Sequence, residues 1–203
     1  MEELRRVRPD DAILSEEGKD STDRLSSDRT WIVDPVDGTR EYSEPPRTDW
    51  AVHVAMVIDG KPVVGAVALP ALGITLSAAD PVAMPETGAE TPRMIVSRSR
   101  PPAAALAVAE QVGAELVEMG SAGAKAMSVV RGESEMYAHS GGQYEWDSCA
   151  PVAVALAAGL HCSRIDGSEL TYNHEDPYLP DLLICRPEYA AAALEALASV
   201  ADS

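Results

Sequence analysis

The stretch Thr30-Trp31-Ile32-Val33-Asp34-Pro35-Val36-Asp37-Gly38-Thr39-Arg40-Glu41-Tyr42 decides how the whole chain is read. Its first four residues form a compact apolar run, which predicts a buried strand. The run is expected to stop at Asp34-Pro35, because proline lacks the amide that a strand ladder needs. The strand end delivers Asp34, proline bends the chain, and Asp37 follows three residues later. Both carboxylates can then converge on one point above the strand, with the carbonyl of Val36 between them as a third hard oxygen. Oxygen donors alone suit Mg²⁺ or Mn²⁺, whereas zinc would recruit His or Cys. Gly38 lets the backbone turn closely. Thr39 is expected to cap a segment starting at Arg40, whose free amides would hold a phosphate beside the metals. The plainer reading of this segment is a hairpin turn, since Asp-Gly and Asp-Pro both favour turns.

Carboxylates elsewhere shift the weight between these readings. Ser15-Glu16-Glu17 directly follows the apolar run Ala12-Ile13-Leu14, so Glu16 can reach the same point from a neighbouring strand end. Far downstream, Glu145-Trp146-Asp147 opens an Ala-rich helix, where Asp147 on its own would read as an N-cap. Glu16, Asp34, Asp37 and Asp147 together would mass negative charge in one place, which is costly unless divalent cations neutralise it.

Outward from the motif, the rhythm of the chain divides it in two. A helix end over 2–7, a strand over 12–14 and a polar loop over 15–29 come first. The alternation Val52, Val54, Met56, Ile58, the turn signal Asp59-Gly60, a return strand over 63–69 and a third over 74–77 predict an antiparallel meander. Past a linker rich in Pro, Gly and Glu over 81–92, short strands alternate with Ala-rich helices. The strands are expected over 94–96, 115–117, 134–138, 160–165 and 182–185, and the helices over 102–112, 122–131, 147–158 and from 187 onward. The expectation is an α/β fold: an α+β lobe over 1–92 that carries the metal site, then an α/β lobe over 93–203, sharing one core and forming a cleft.

The 203 residues carry 16 Lys+Arg against 33 Asp+Glu, a formal net charge of −17. A nucleic-acid polymer or an anionic membrane surface is excluded as a default partner, since both call for basic patches. No apolar run approaches the ~20 residues of a membrane-spanning helix, and the start lacks the apolar core of a signal peptide, so the expected location is the cytoplasm. Cys149, Cys162 and Cys185 cannot all pair within one chain and show no metal-ligand spacing, so they are expected to be buried reduced thiols. Phe is absent, and the core must be built from Ala, Val, Leu, Ile and Met.

The string Asp34 to Tyr42 resembles the first signature of the inositol monophosphatase superfamily of lithium-sensitive, magnesium-dependent phosphatases. Trp146-Asp147, followed by a small-residue helix and Ala158-Gly159, resembles its second signature, and the resemblance runs through essentially the whole chain. It implies a layered αβαβα sandwich with the site in the cleft between lobes, and two or three Mg²⁺ ions. Glu16, Asp34 and the Val36 carbonyl would hold one ion, and Asp34, Asp37 and Asp147 a second. It also implies phosphomonoester hydrolysis by a metal-activated water, with Glu16, Asp37 and Thr39 as catalytic residues. Val36, Asp37, Gly38 and Thr39 would line the scissile phosphate.

Within the superfamily, Gly120-Ser121-Ala122-Gly123-Ala124-Lys125, the loop Ser97-Arg98-Ser99-Arg100 and the string Leu170-Thr171-Tyr172-Asn173 resemble the CysQ branch of 3′(2′),5′-bisphosphate nucleotidases. Ser121, Lys125 and Asp147 would then bind substrate, with a cationic pocket for a second phosphate. As plain structure, Lys125 is a solvated helix residue and the two arginines belong to a solvated loop. The resemblance puts 3′-phosphoadenosine 5′-phosphate first among small phosphorylated substrates, with its phosphosulfate counterpart beside it and inositol 1-phosphate and fructose 1,6-bisphosphate behind. A homodimer is common among relatives.

Haloacid-dehalogenase phosphatases need Asp-x-Asp-Gly, whereas two residues separate Asp34 from Asp37, so no nucleophilic Asp is implied. An EF-hand loop fails because Val36 and Gly38 would occupy its third and fifth positions. Superfamily members usually carry two long helices before the Glu-Glu loop, with an Asp that pairs with the signature Thr. Here Glu16 lies close to Met1 and residues 2–7 match only the end of the second helix; either the natural chain starts further upstream, or Thr39 is expected to lack that partner and an apolar sheet face to be left uncovered. The non-enzymatic alternative is a truncated metal-binding paralogue without turnover.

Overall fold

The structure is a computed structural model that describes residues 1–84, 90–99 and 101–201; Arg100 and positions 85–89 of the linker lie outside the described residues. After the short helix α1 (Glu2–Val7), which buries no side chain, come β1 (Ala12–Ser15), β2 (Thr30–Asp37), the one-turn helix α2 (Thr39–Tyr42), β3 (Ala51–Ile58), β4 (Lys61–Leu69) and β5 (Ile74–Ser77). The five strands form one sheet in sequence order, with β1 parallel to β2 and the rest an antiparallel meander. Asp59 and Gly60 both take positive φ in the β3–β4 turn, as the Asp-Gly signal predicts.

The second half contains β6 (Arg93–Ser97), α3 (Ala103–Val112), β7 (Glu115–Met119), α4 (Ala122–Val130), β8 (Met136–Tyr144), α5 (Glu145–Ala157), β9 (His161–Ser163), β10 (Tyr178–Cys185) and α6 (Pro187–Ala201). Its strands form a second sheet in the order β7-β6-β8-β10-β9, parallel at β6 and antiparallel beyond β8. Helices α4 and α5 pack against both sheets. One core joins Ile32, Val57 and Leu69 of the first sheet to Met127 and Val152 of these helices and to Ile95, Tyr137 and Ile184 of the second sheet. A separate cluster of Met94, Val108, Leu183, Ala193 and Leu197 fastens α3 and α6 to the far face of the second sheet. The described residues therefore stack as sheet, helices, sheet, helices. No helix among them is long and apolar enough to cross a membrane.

The contact of α5 with the first sheet is close because small residues line it. A Cβ at Gly65 would stand 2.5 Å from the Cβ of Ala153 and 3.1 Å from the carbonyl of Ala150. Along β3 the period of two is as expected, but the fully buried positions are Ala51, His53, Ala55 and Val57, while Val52, Val54, Met56 and Ile58 lie half-buried on the opposite face.

Candidate active site

Two irregular pairings build the site. The strand expected to stop at Asp34 in fact continues to Asp37, and its register with β3 sets Asp34 opposite His53 but Asp37 opposite Ala51. Pro35 and Val36 on β2 thus stand against the single Val52 on β3. Regular alternation would send residues 34 and 37 to opposite faces, and the extra residue of this bulge returns Asp37 to the face of Asp34. On the other side of the core, β8 slips against β10 between Ser140 and Gln143, where Gly141 and Gly142 both have positive φ. The strand then runs directly into α5, which begins at Glu145 rather than at 147. Asp147 is accordingly not an N-cap: it sits in the first turn and accepts a 2.7 Å hydrogen bond from the amide of Tyr144.

The result is a convergence of Asp34, Asp37 and Asp147, each offering one oxygen within 4.8 Å of the others. Burial, with the charges of Asp37, Asp147 and Glu16 added, raises the Asp34 carboxyl to about 7. Burial and the charge of Asp37 likewise raise Asp147 to about 7. Asp37 goes the other way. Burial would lift it too, but the His53 ring, the Ser121 hydroxyl and the Gly123 amide outweigh that and hold it at about 2. A tight group of oxygen donors, two of them reluctant to ionise, is what a divalent hard cation would relieve, so the residues present fit such an ion.

Asp37 is the hub. It accepts from the Ser121 hydroxyl, from the amide of Gly123 at 2.7 Å and from that of Ala122 at 3.2 Å, joining β2 to the start of α4. Nε2 of the fully buried His53 lies 3.3 Å from its Oδ2, and Nδ1 of the same ring lies 2.9 Å from the Trp146 carbonyl. Those acceptors, despite the opposing effect of burial, raise His53 to about 9. Ser121 itself sits at φ 54, and its oxygen also accepts from the amide of Ala124 at 3.0 Å.

The other expected site residues are placed as follows. Gly38, at φ 80, caps α2, so the capping role expected of Thr39 falls one residue earlier; the exposed Thr39 donates its hydroxyl to the Val36 carbonyl at 3.2 Å. Glu16 is exposed and stands outside the three-carboxylate group, although its charge reaches both Asp34 and Asp147. Lys125, expected as either a phosphate ligand or a solvated residue, is buried. Its Nζ donates to the Ser121 carbonyl at 2.8 Å and lies 5.3 Å from the centre of the Tyr137 ring, and burial lowers its pKa. Arg98 reaches back across the chain to Glu41 at 2.8 Å and Glu44 at 2.7 Å.

Several functional-site residues escape a reading of the sequence. His53 is the clearest, and its only signal is a polar side chain at the centre of an apolar alternating strand. Asp49 accepts from the Gly120 amide at 2.6 Å, and Glu41 lies where a Cβ on Gly120 would meet it at 2.2 Å, so that glycine is needed for the approach. The buried Glu145 accepts from the amides of Asn173 and His174, at 2.6 and 2.8 Å, while buried Arg24 donates to the Asn173 side chain at 2.8 Å. Together they tie the loop that follows Glu16 to the helix that carries Asp147.

Comparison with known proteins places this geometry. The chain is 50% identical over 206 residues to a 3′-phosphoadenosine 5′-phosphate phosphatase of Mycobacterium bovis, covering 98% of this chain and 77% of that one. It is 31% identical to the 3′(2′),5′-bisphosphate nucleotidase CysQ of Escherichia coli, over 88% and 77% of the two chains. Among solved structures, CysQ from Bacteroides thetaiotaomicron superposes with a TM-score of 0.73 at 25% identity, covering 86% and 76%. Inositol monophosphatase II from Staphylococcus aureus superposes at 0.80 with 20% identity, covering 98% and 78%. Residues 1–201 match the inositol monophosphatase family, and with the layered fold and the convergent aspartates this shows that the chain belongs to that family.

Proposed function

We propose that this protein is a Mg²⁺-dependent phosphomonoesterase that hydrolyses 3′-phosphoadenosine 5′-phosphate to AMP and phosphate. The observation that carries the proposal is the convergence of Asp34, Asp37 and Asp147 within 4.8 Å, in a chain half identical to a phosphatase named for that substrate. Asp34, Asp37 and Asp147 would hold the ions, with Glu16 and the Val36 carbonyl at the margin of the same site. When bound, the ions supply positive charge against the phosphate and make a water more acidic.

The remaining tasks fall to the chain itself. Thr39 is exposed beside the Val36 carbonyl, to which its hydroxyl donates, and it would orient the attacking water. The amides of Gly38 and Thr39 would donate to oxygens of the scissile phosphate. Ser121 keeps Asp37 ionised and in place. Lys125, buried close enough to feel the charges of Asp37 and Asp147, would lessen the repulsion that this acidic chain exerts on a doubly phosphorylated substrate. We read the site as the meeting of the 1–92 and 93–203 segments, which contribute Asp34 and Asp37 on one side and Ser121 and Asp147 on the other. A cytoplasmic setting fits the free thiols, of which Cys149 and Cys185 are buried as expected and Cys162 is only half-buried.

The test is phosphate release from 3′-phosphoadenosine 5′-phosphate, inositol 1-phosphate and fructose 1,6-bisphosphate with Mg²⁺, with and without Li⁺. The expected result is the highest kcat/KM on the nucleotide and inhibition by Li⁺. Preference for the inositol or the fructose phosphate overturns the substrate, and no release from any of them overturns the enzyme.

A further inference from the structure

His53 is the one polar residue of β3 and is fully buried between Ala51 and Ala55 on the inward face. Nδ1 is hydrogen-bonded to the Trp146 carbonyl at 2.9 Å, while Nε2 stands 3.3 Å from the Asp37 carboxylate, within ion-pair distance but without hydrogen-bond geometry. Those two partners belong to elements far apart in the chain: Asp37 to the bulge of β2, and Trp146 to the first turn of α5, next to Asp147. Asp34 is the cross-strand partner of the same histidine. Packing keeps room for the ring, since a Cβ at Gly123 would come within 2.0 Å of Nε2.

Resting on the reading that the three aspartates hold divalent ions, the geometry points to His53 as a positioning residue. One nitrogen bonds the first turn of α5 and the other stands against Asp37 at ion-pair distance, so that Asp37 and Asp147 keep the separation a shared cation needs. The ring touches neither substrate nor ion. It acts from behind the carboxylates, and partners of that kind usually change metal affinity about ten- to a hundred-fold when removed.

The experiment titrates the unsubstituted chain, His53→Leu and Gly123→Ala with Mn²⁺, read by electron paramagnetic resonance of the free ion, alongside kcat, KM and melting temperature. Val108→Ala, in the core between α3 and α6, serves as a control for lost stability alone. The expected result is a half-saturating Mn²⁺ concentration raised about ten-fold or more in His53→Leu, with kcat lowered and KM little changed. Gly123→Ala, which keeps the imidazole but displaces it, shifts binding the same way, and the double variant is no worse than His53→Leu alone. Val108→Ala melts earlier and binds Mn²⁺ normally. Unsubstituted affinity in a folded His53→Leu overturns the inference; should that variant not fold, unsubstituted affinity in Gly123→Ala overturns it instead. Failure of the unsubstituted chain to bind Mn²⁺ overturns the metal reading beneath, and that result needs no variant to be seen.

Discussion

Asp37 has three hydrogen-bond donors and the facing His53 ring converging on it, and one role that all four serve, which is to stay ionised in a buried place. Asn at this position keeps the shape but loses the charge that pairs with His53 and faces the amides of α4. Asp37→Asn is therefore expected to lower phosphate release by about a thousand-fold or more, and to reduce unfolding free energy by about 3 kcal/mol in urea titration, as for other broken buried pairs. Ser121→Ala should be milder. It removes one donor to Asp37 and the cap on the Ala124 amide, costing about 1 kcal/mol in the same titration and lowering kcat more than it raises KM. The aspartates were legible in the sequence because each is flagged by neighbours with strong local preferences: Pro35, Gly38, and the Ala-rich helix after Trp146. His53 was not, since an alternating strand reveals its period without revealing which face turns inward.

At the scale of elements, the bulge of β2 and the close seat of α5 decide where the carboxylates point. The sequence showed Pro35 as an end of strand, yet pairing resumes at Asp37 because a bulge leaves the proline outside the ladder. That single extra residue brings two aspartates to one face. The third depends on how near α5 comes to β4, and Gly65 permits the approach. Gly65→Ala would drive a methyl against Ala153 and the Ala150 backbone, neither of which can swing aside. A loss of about 1–3 kcal/mol is expected in urea unfolding, with weaker Mg²⁺ stabilisation of the folded chain because Asp147 travels with the helix. Unchanged Mg²⁺ stabilisation would show that α5 does not set the position of Asp147.

For the whole molecule, the consequence is a linkage between pH, metal and stability. Asp34 and Asp147, at about 7 when folded against an ordinary 3.8, bind protons more tightly in the folded state. Without metal their burden on folding grows as pH rises from 3.8 and is complete above about 7. His53, at about 9 against 6.5, adds stability that is full below 6.5 and is lost as pH climbs through 9. Asp37, at about 2 against 3.8, contributes above 3.8 and fades only as pH falls through 2. In EDTA the melting temperature should therefore fall steadily from about pH 5 to about pH 9. Added Mg²⁺ should raise it by about 5 °C or more near pH 8 and much less near pH 5, where protons already neutralise the cluster. A metal effect independent of pH in a thermal shift series would dissociate the ion from Asp34 and Asp147.

The sequence by itself determined the family, the two kinds of sheet, most elements to within a few residues, and the three aspartates of the candidate site, because motifs, turns and periodicity are local properties of the chain. It also determined the excess of negative charge, for which the cluster supplies a partial local cause. Only the tertiary structure decided that Lys125 is buried, that Glu16 stays outside the three-carboxylate group, and that His53 links the backs of Asp37 and α5. Those facts depend on register, on the depth at which helices seat, and on contacts between residues 84 to 93 positions apart, such as Ser121 with Asp37 and Trp146 with His53. No local pattern encodes such distances, because they arise only when two sheets and the helices between them close on one core.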